Sequence, residues 1–203
     1  MFDDKRSKKV LLIAHCILNQ NAKIDHCAHY PGAIREIIQI PIDAGIGILQ
    51  MPCPELLCLG LDRQVEPGLH PTVESEDTRV AQRMTEDQAG AICRQIVDDL
   101  VYQLVEYRKN QFELVGVVGI NGSPTCGVET TWTNNQDIQG AGVFIQILDE
   151  ECRKRGISLS MRGIKAYEPQ RAITTVVNLL ENTISPQHVA HSQTASASNT
   201  ACS

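Results

Sequence analysis

The sequence has few aromatic residues, no excess of basic charge and no long apolar run. Phe, Trp and Tyr make up 4% of its 203 residues, with a single Trp, so a core must be built from Ile, Leu, Val and Ala. The net charge is −6, and the one basic stretch, Lys5-Arg6-Ser7-Lys8-Lys9, is short. A nucleic-acid surface, which needs a strong basic patch, is not expected. No segment reaches the roughly 18 apolar residues of a membrane span. The basic stretch and the apolar Val10-Leu11-Leu12-Ile13-Ala14 imitate a secretory leader only loosely. His15 breaks the run, and no small-residue cleavage pattern follows. The expected location is the cytoplasm, a reducing compartment.

Also missing is any C-x-x-C pair, although the chain has eight cysteines. That absence weakens zinc-ribbon and thioredoxin-like readings, and a reducing compartment disfavours disulfides. The cysteines are then buried apolar residues, metal or cluster ligands, nucleophiles, or a mixture of these.

What is present is a hydrophobic share of 42%, enough for one sizeable domain. Residues 10–15, 45–50, 112–120 and 157–161 read as buried strands. Residues 34–44, 74–109, 141–155 and 171–181 read as helices. Pro41 is expected to end or kink the first, and Gly156 to stop the third. The helix over 74–109 carries a stripe that includes Ala89, Cys93, Ile96, Val97, Leu100 and Leu104 at helical spacing. Strands that alternate with helices and look buried on both faces predict an α/β fold, a mostly parallel sheet between helical layers, Rossmann-like or flavodoxin-like. The organisation expected is a basic lead-in over 1–9, one α/β domain over 10–184, and a flexible Ser/Thr/Ala-rich tail over 185–203.

Three cysteines share a placement. Cys16 follows the first strand, Cys53 follows the second, and Cys126 lies in the loop after the third. In open parallel sheets, ligands bind beyond the carboxyl ends of the strands, so three thiols can meet there. Cys93 reads as core, Cys152 and Cys202 as bystanders, and Cys58 as a core candidate. Asp25-His26-Cys27-Ala28-His29 looks metal-like, but no partner ligands are evident.

Around these loops stand His15-Cys16-Ile17-Leu18, Cys53-Pro54-Glu55-Leu56 and Ser123-Pro124-Thr125-Cys126-Gly127. In this order they resemble the signature segments of the thiouracil desulfidase family, over about residues 10–150. Arg63 falls near the arginine that follows the family's Cys-Pro-Glu segment. The first segment departs from the common pattern, with His15 before the cysteine and Asn19-Gln20-Asn21 after it, as in a divergent relative. The resemblance implies a 4Fe–4S cluster on Cys16, Cys53 and Cys126, used without net redox change on a small thiocarbonyl compound. It also implies Glu55 and Ser123 as catalytic or substrate-contacting residues.

Three protein ligands leave one iron open, unlike the four-cysteine clusters of electron transfer. An open iron is a Lewis acid for a soft sulfur donor. Water attack on a C=S carbon needs a base, and Glu55 is two residues from a proposed ligand. Pro54-Glu55 equally reads as a helix start. Ser123 orients substrate or sets the turn before Pro124. His15 contacts substrate or is a satisfied core histidine. Arg63 is placed at the substrate, and Trp132 is a pocket wall or simple packing. The same thiols also suit a zinc hydrolase, a persulfide carrier, or a non-catalytic redox- or ligand-sensing module. The partner expected is a small thiocarbonyl compound, with no nucleic acid and no membrane; oligomeric state is left open.

Overall fold

The computed structural model describes residues 2–184. The tail expected over 185–203, with Cys202, lies outside the described residues. In chain order, β1 (Lys9–Ala14) leads into α1 (His15–Leu18), a 3-10 turn (Gln20–Ala22) and α2 (Arg35–Asp43). Next come β2 (Gly47–Met51), α3 (Pro54–Leu59), α4 (Val73–Arg83) and α5 (Asp87–Lys109). Then β3 (Glu113–Ile120) precedes β4 (Thr130–Thr133), β5 (Gln136–Gln139), α6 (Val143–Lys154), β6 (Met161–Ile164) and α7 (Pro169–Ile184).

The main sheet has the order β2-β1-β3-β6, and every neighbouring pair is parallel. Leu11, Leu12 and Ile13 of β1 and Val117 and Val118 of β3 are fully buried, as central strands covered on both faces must be. Helix α2 packs on α7, while α5 packs on α3 and α6. This is the α/β three-layer architecture expected from the sequence. The stripe on α5 is buried as its spacing predicts, with Cys93 in the core. Each such aliphatic side chain removed from water contributes about 1.5–3 kcal/mol.

Four local expectations change. The helix expected over 74–109 is two helices, α4 and α5, separated after Arg83. No Gly or Pro marks the break. Met84 turns into the core, Glu86 takes an extended conformation, and an Arg83–Glu86 ion pair of 2.9 Å spans the corner. The last strand is Met161–Ile164, later than the expected 157–161. The alternation of Ile157, Leu159 and Met161 imitates a strand, but the ladder begins only where the Val117 amide meets the Ser160 carbonyl at 2.9 Å. Pro41 stays inside α2, two residues from its end, and does not stop it. The β4–β5 hairpin is additional. Asn134 and Asn135 both adopt positive φ (48° and 62°), the conformation of a type I′ turn.

The order of strands creates a switch point. From β1 the chain moves outward to β2, then crosses back over β1 to reach β3 on its other side. Connections leaving β1 and β3 therefore diverge, and a crevice opens beyond their carboxyl ends.

Candidate functional site

The crevice is a cavity of about 600 Å³ whose walls include Cys16, Cys53, Cys126, Glu55, Ser123 and Trp132. Register explains the first two thiols. Ala14 pairs with Met51 across β1 and β2, and each cysteine is the second residue beyond its member of that pair. Cys16 falls on α1. Cys53 is the N-cap of α3, with its sulfur 3.5 Å from the Leu56 amide and Pro54 at the first helical position.

Cys126 is carried by a tight loop after β3. Ser123 Oγ accepts from the amides of Thr125 (3.3 Å) and Cys126 (3.0 Å), and the Cys126 carbonyl accepts from the Ile120 amide at 2.9 Å. The loop folds so closely on its strand that a Cβ on Gly119 would strike the Cys126 carbonyl. Ser123 thus sets the turn, and its Oγ also lies 3.5 Å from Glu55 Oε1.

The three thiols sense one another. Burial pushes Cys126 well above the ordinary thiol range, and nearby Cys53 and Cys16 add to the effect. Burial pushes Cys53 up to about 12, with Glu55 and Cys16 contributing and the Leu56 amide and Arg63 opposing. Cys16 is raised by burial, against the pull of Lys23. Buried neutral thiols are poor nucleophiles at neutral pH. As ligands they must release their protons to solvent when the metal binds the thiolates.

Glu55 is held at both oxygens. Thr125 Oγ1 donates to Oε1 at 2.6 Å, and Arg63 Nε is 3.4 Å from Oε2. Thr125 is buried and was not singled out from the sequence, although it stands within the Ser-Pro-Thr-Cys segment. Arg63, only 1% exposed, was placed at the substrate from the sequence, yet its donors are already committed. Nη1 meets the carbonyls of Gly60 (2.8 Å) and Leu61 (3.0 Å), and Nη2 meets the Ala22 carbonyl (2.6 Å) and lies 3.9 Å from Cys53 Sγ. Its role is to position Glu55 and the Cys53 turn.

Trp132 faces the cavity from β4, and its Nε1–H donates to Thr78 Oγ1 of α4 at 2.9 Å. His15 is not among the cavity walls. Both its ring nitrogens are buried without a partner among the described residues, so it is not a satisfied core histidine either. Cys27 does line the cavity, as do His26 and His29. Two wall residues carry no sequence motif that would single them out: Lys23 and Asp77.

Among the described residues, no three of His, Cys, Asp and Glu are grouped as ligands of a single metal ion. A 4Fe–4S cubane makes a different demand, since three thiolates bind three separate irons. Three soft sulfur donors lining one cavity suit it.

Fold and site together define a doubly wound α/β protein with a three-thiol cavity at its switch point. The chain is 25% identical over 179 residues to "Uncharacterized protein MJ0003" of Methanocaldococcus jannaschii. That match takes in 88% of this chain and 99% of the archaeal protein. No family model matches the chain, and no solved structure matches it.

Proposed function

We propose that this protein is an iron–sulfur desulfidase that hydrolyses a small thiocarbonyl compound to the carbonyl and hydrogen sulfide. The observation that carries the reading is the meeting of Cys16, Cys53 and Cys126 in one cavity with a carboxylate fixed at both oxygens. The three cysteines would hold a 4Fe–4S cluster. Bound there, the cluster supplies an open Lewis-acidic iron for a soft sulfur atom.

The remaining chemistry belongs to the chain. Glu55 takes a proton from water as its oxygen forms a bond to the thiocarbonyl carbon. Thr125 and Arg63 hold the carboxylate, one at each oxygen, in the cavity wall. The water's oxygen ends in the C=O bond of the product, and its two protons leave with the sulfur. No electron changes hands. Trp132 closes one wall against bulk water.

The test is iron, zinc and acid-labile sulfide analysis of the full chain purified without oxygen, followed by assay of sulfide release from thiolated pyrimidines. About four irons and four sulfides per fully occupied chain, a brown colour and stoichiometric sulfide release are expected. Colourless protein that carries zinc or persulfide instead would overturn the cluster. A loaded protein that releases no sulfide from any thiocarbonyl compound would overturn the reaction.

A further inference from the structure

The proposed reaction uses one carboxylate, but the cavity has others. Glu74 is exposed at its edge, and Asp137 is tied to Lys165 at 2.9 Å. Asp77, on α4, also lines the cavity. Its carboxyl makes no hydrogen bond and no ion pair with any described residue. The position is nonetheless fixed from both sides. Next to it, Thr78 accepts from Trp132 Nε1 at 2.9 Å, and Arg79 donates to the Arg63 carbonyl at 2.6 Å.

We propose that Asp77 is the specificity residue of this cavity, pairing through both carboxyl oxygens with an amide-like edge of the substrate, an N–H beside a carbonyl or ring acceptor. The inference rests on the desulfidase reading for the direction in which the substrate's C=S group points. Asp77 lines the same cavity from α4, apart from α1, the start of α3 and the loop after β3 that carry Cys16, Cys53 and Cys126. A ring whose sulfur faces the three thiols therefore turns another edge toward Asp77.

The charge around Asp77 selects the kind of edge. Glu55 faces it from α3, Lys23 and Cys27 from the segment after the 3-10 turn, and Glu74 and Glu76 from its own helix. Burial, then Glu55, push Asp77 up to about 7, and Lys23 pulls it back. At and below neutral pH the carboxyl keeps its proton for much of the time. A protonated carboxyl carries an O–H donor beside a C=O acceptor. That pair matches an N–H beside an acceptor, as in a cyclic thioamide. An anionic substrate edge would meet the carboxylates of Glu55 and Glu74, so a neutral heterocycle is favoured. A site built to pair with polar groups rejects analogues that lack them far more strongly than an apolar wall does.

The experiment is calorimetric binding of 2-thiouracil and of its 1,3-dimethyl derivative to the full chain, purified and held without oxygen, from pH 5.5 to 8.5. Sulfide release is followed in the same samples, for wild type, Asp77→Asn and Asp77→Ala. Asparagine keeps a donor beside an acceptor without a titrating proton. Wild-type affinity, calculated for the neutral form of the ligand after correction for ionisation of its own N–H, should fall about tenfold per pH unit above about 7, as loss of one required proton dictates. Asp77→Asn should bind within about threefold of wild type at pH 6 and show no such fall. Asp77→Ala should bind at least about tenfold more weakly at pH 6, and the dimethyl compound should bind poorly to all three. If alanine proves unstable, the flat profile of the asparagine variant decides. Equal binding by all variants, an unchanged pH profile in Asp77→Asn, or no binding by wild type overturns the assignment. The expected binding pattern with no sulfide release sinks the desulfidase reading and leaves Asp77 in place. Sulfide release with indifferent variants does the reverse.

Discussion

Thr125 donates its hydroxyl to Glu55 at 2.6 Å, joining the third cysteine loop to the second. The bond links residues 70 positions apart, and a second hydroxyl, Ser123 Oγ, lies 3.5 Å from the same oxygen. Glu55 is thus oriented by the loop that carries Cys126. If it is the base, Glu55→Gln should keep iron content near wild type and slow sulfide release at least about a hundredfold. Thr125→Val removes the donor at nearly constant volume and should slow release about tenfold, the worth of one hydrogen bond to a charged group. Sulfide release at matched iron content checks both. Equal rates for wild type and Glu55→Gln would reduce Glu55 to a helix-start residue.

Ligand cysteines should separate from packing cysteines. Changing Cys16, Cys53 or Cys126 to Ala is expected to abolish or strongly reduce iron incorporation. Changing Cys93 or Cys152, buried in the core away from the cavity, should leave iron content intact while costing some stability. Iron and sulfide analysis of the five variants decides, and full loading in all three ligand variants would refute the assignment.

Arg63 should matter for folding as much as for chemistry. It is buried and adopts a left-handed backbone (φ 54°), as does Gln64 (φ 59°). Such a conformation costs a non-glycine residue about 1–2 kcal/mol, so neighbouring contacts must over-determine it. Here the guanidinium fork binds three backbone carbonyls and meets Glu55. A lysine ammonium lacks the planar fork and cannot serve the same set. Arg63→Lys should lose about 2–4 kcal/mol of stability, and Arg63→Ala at least as much, because Glu55 loses its cationic partner and the three carbonyls lose their donors. The check is urea denaturation with an unchanged m-value. A loss below about 0.5 kcal/mol would contradict the positioning role.

Strand-end placement made the thiol cluster legible, because register carries it. Once β1 and β2 pair in parallel, Ala14 and Met51 are neighbours and the cysteines beyond them follow. The α5 stripe was legible for the same kind of reason, a period of 3.6 with no competing signal. The break at Met84 was not, since neither Gly nor Pro marks it and the charged pattern runs through. Thr125 and Asp77 were hidden differently. Each acts across an interface between elements distant in sequence, and a threonine or a helix-surface aspartate is ordinary in its own segment. The Asn134-Asn135 turn did carry a signal, two residues tolerant of positive φ between β-forming Thr and Trp on one side and Ile on the other.

Asp77 should leave a mark on stability that is independent of any substrate. Its carboxyl rises from 3.8 to about 7 on folding, chiefly through burial and the charge of Glu55. Between those values the folded state binds more protons than the unfolded state. Unfolding free energy therefore falls as pH rises from about 4 to about 7, and the loss is complete above that window. The full shift corresponds to at most about 4 kcal/mol at 1.36 kcal/mol per pH unit, reduced by the part of the side chain that water reaches. Asp77→Asn has no proton to lose there. It should match wild type near pH 4 and exceed it by between about 1 and 4 kcal/mol at pH 8. Other carboxylates titrate in both proteins, so the difference between the two curves isolates this one residue. Chemical denaturation at pH 4.5, 6 and 8 supplies it. A wild-type-minus-variant difference that stays constant across the three values would mean that Asp77 is ionised throughout, and the amide-edge pairing would lose its donor.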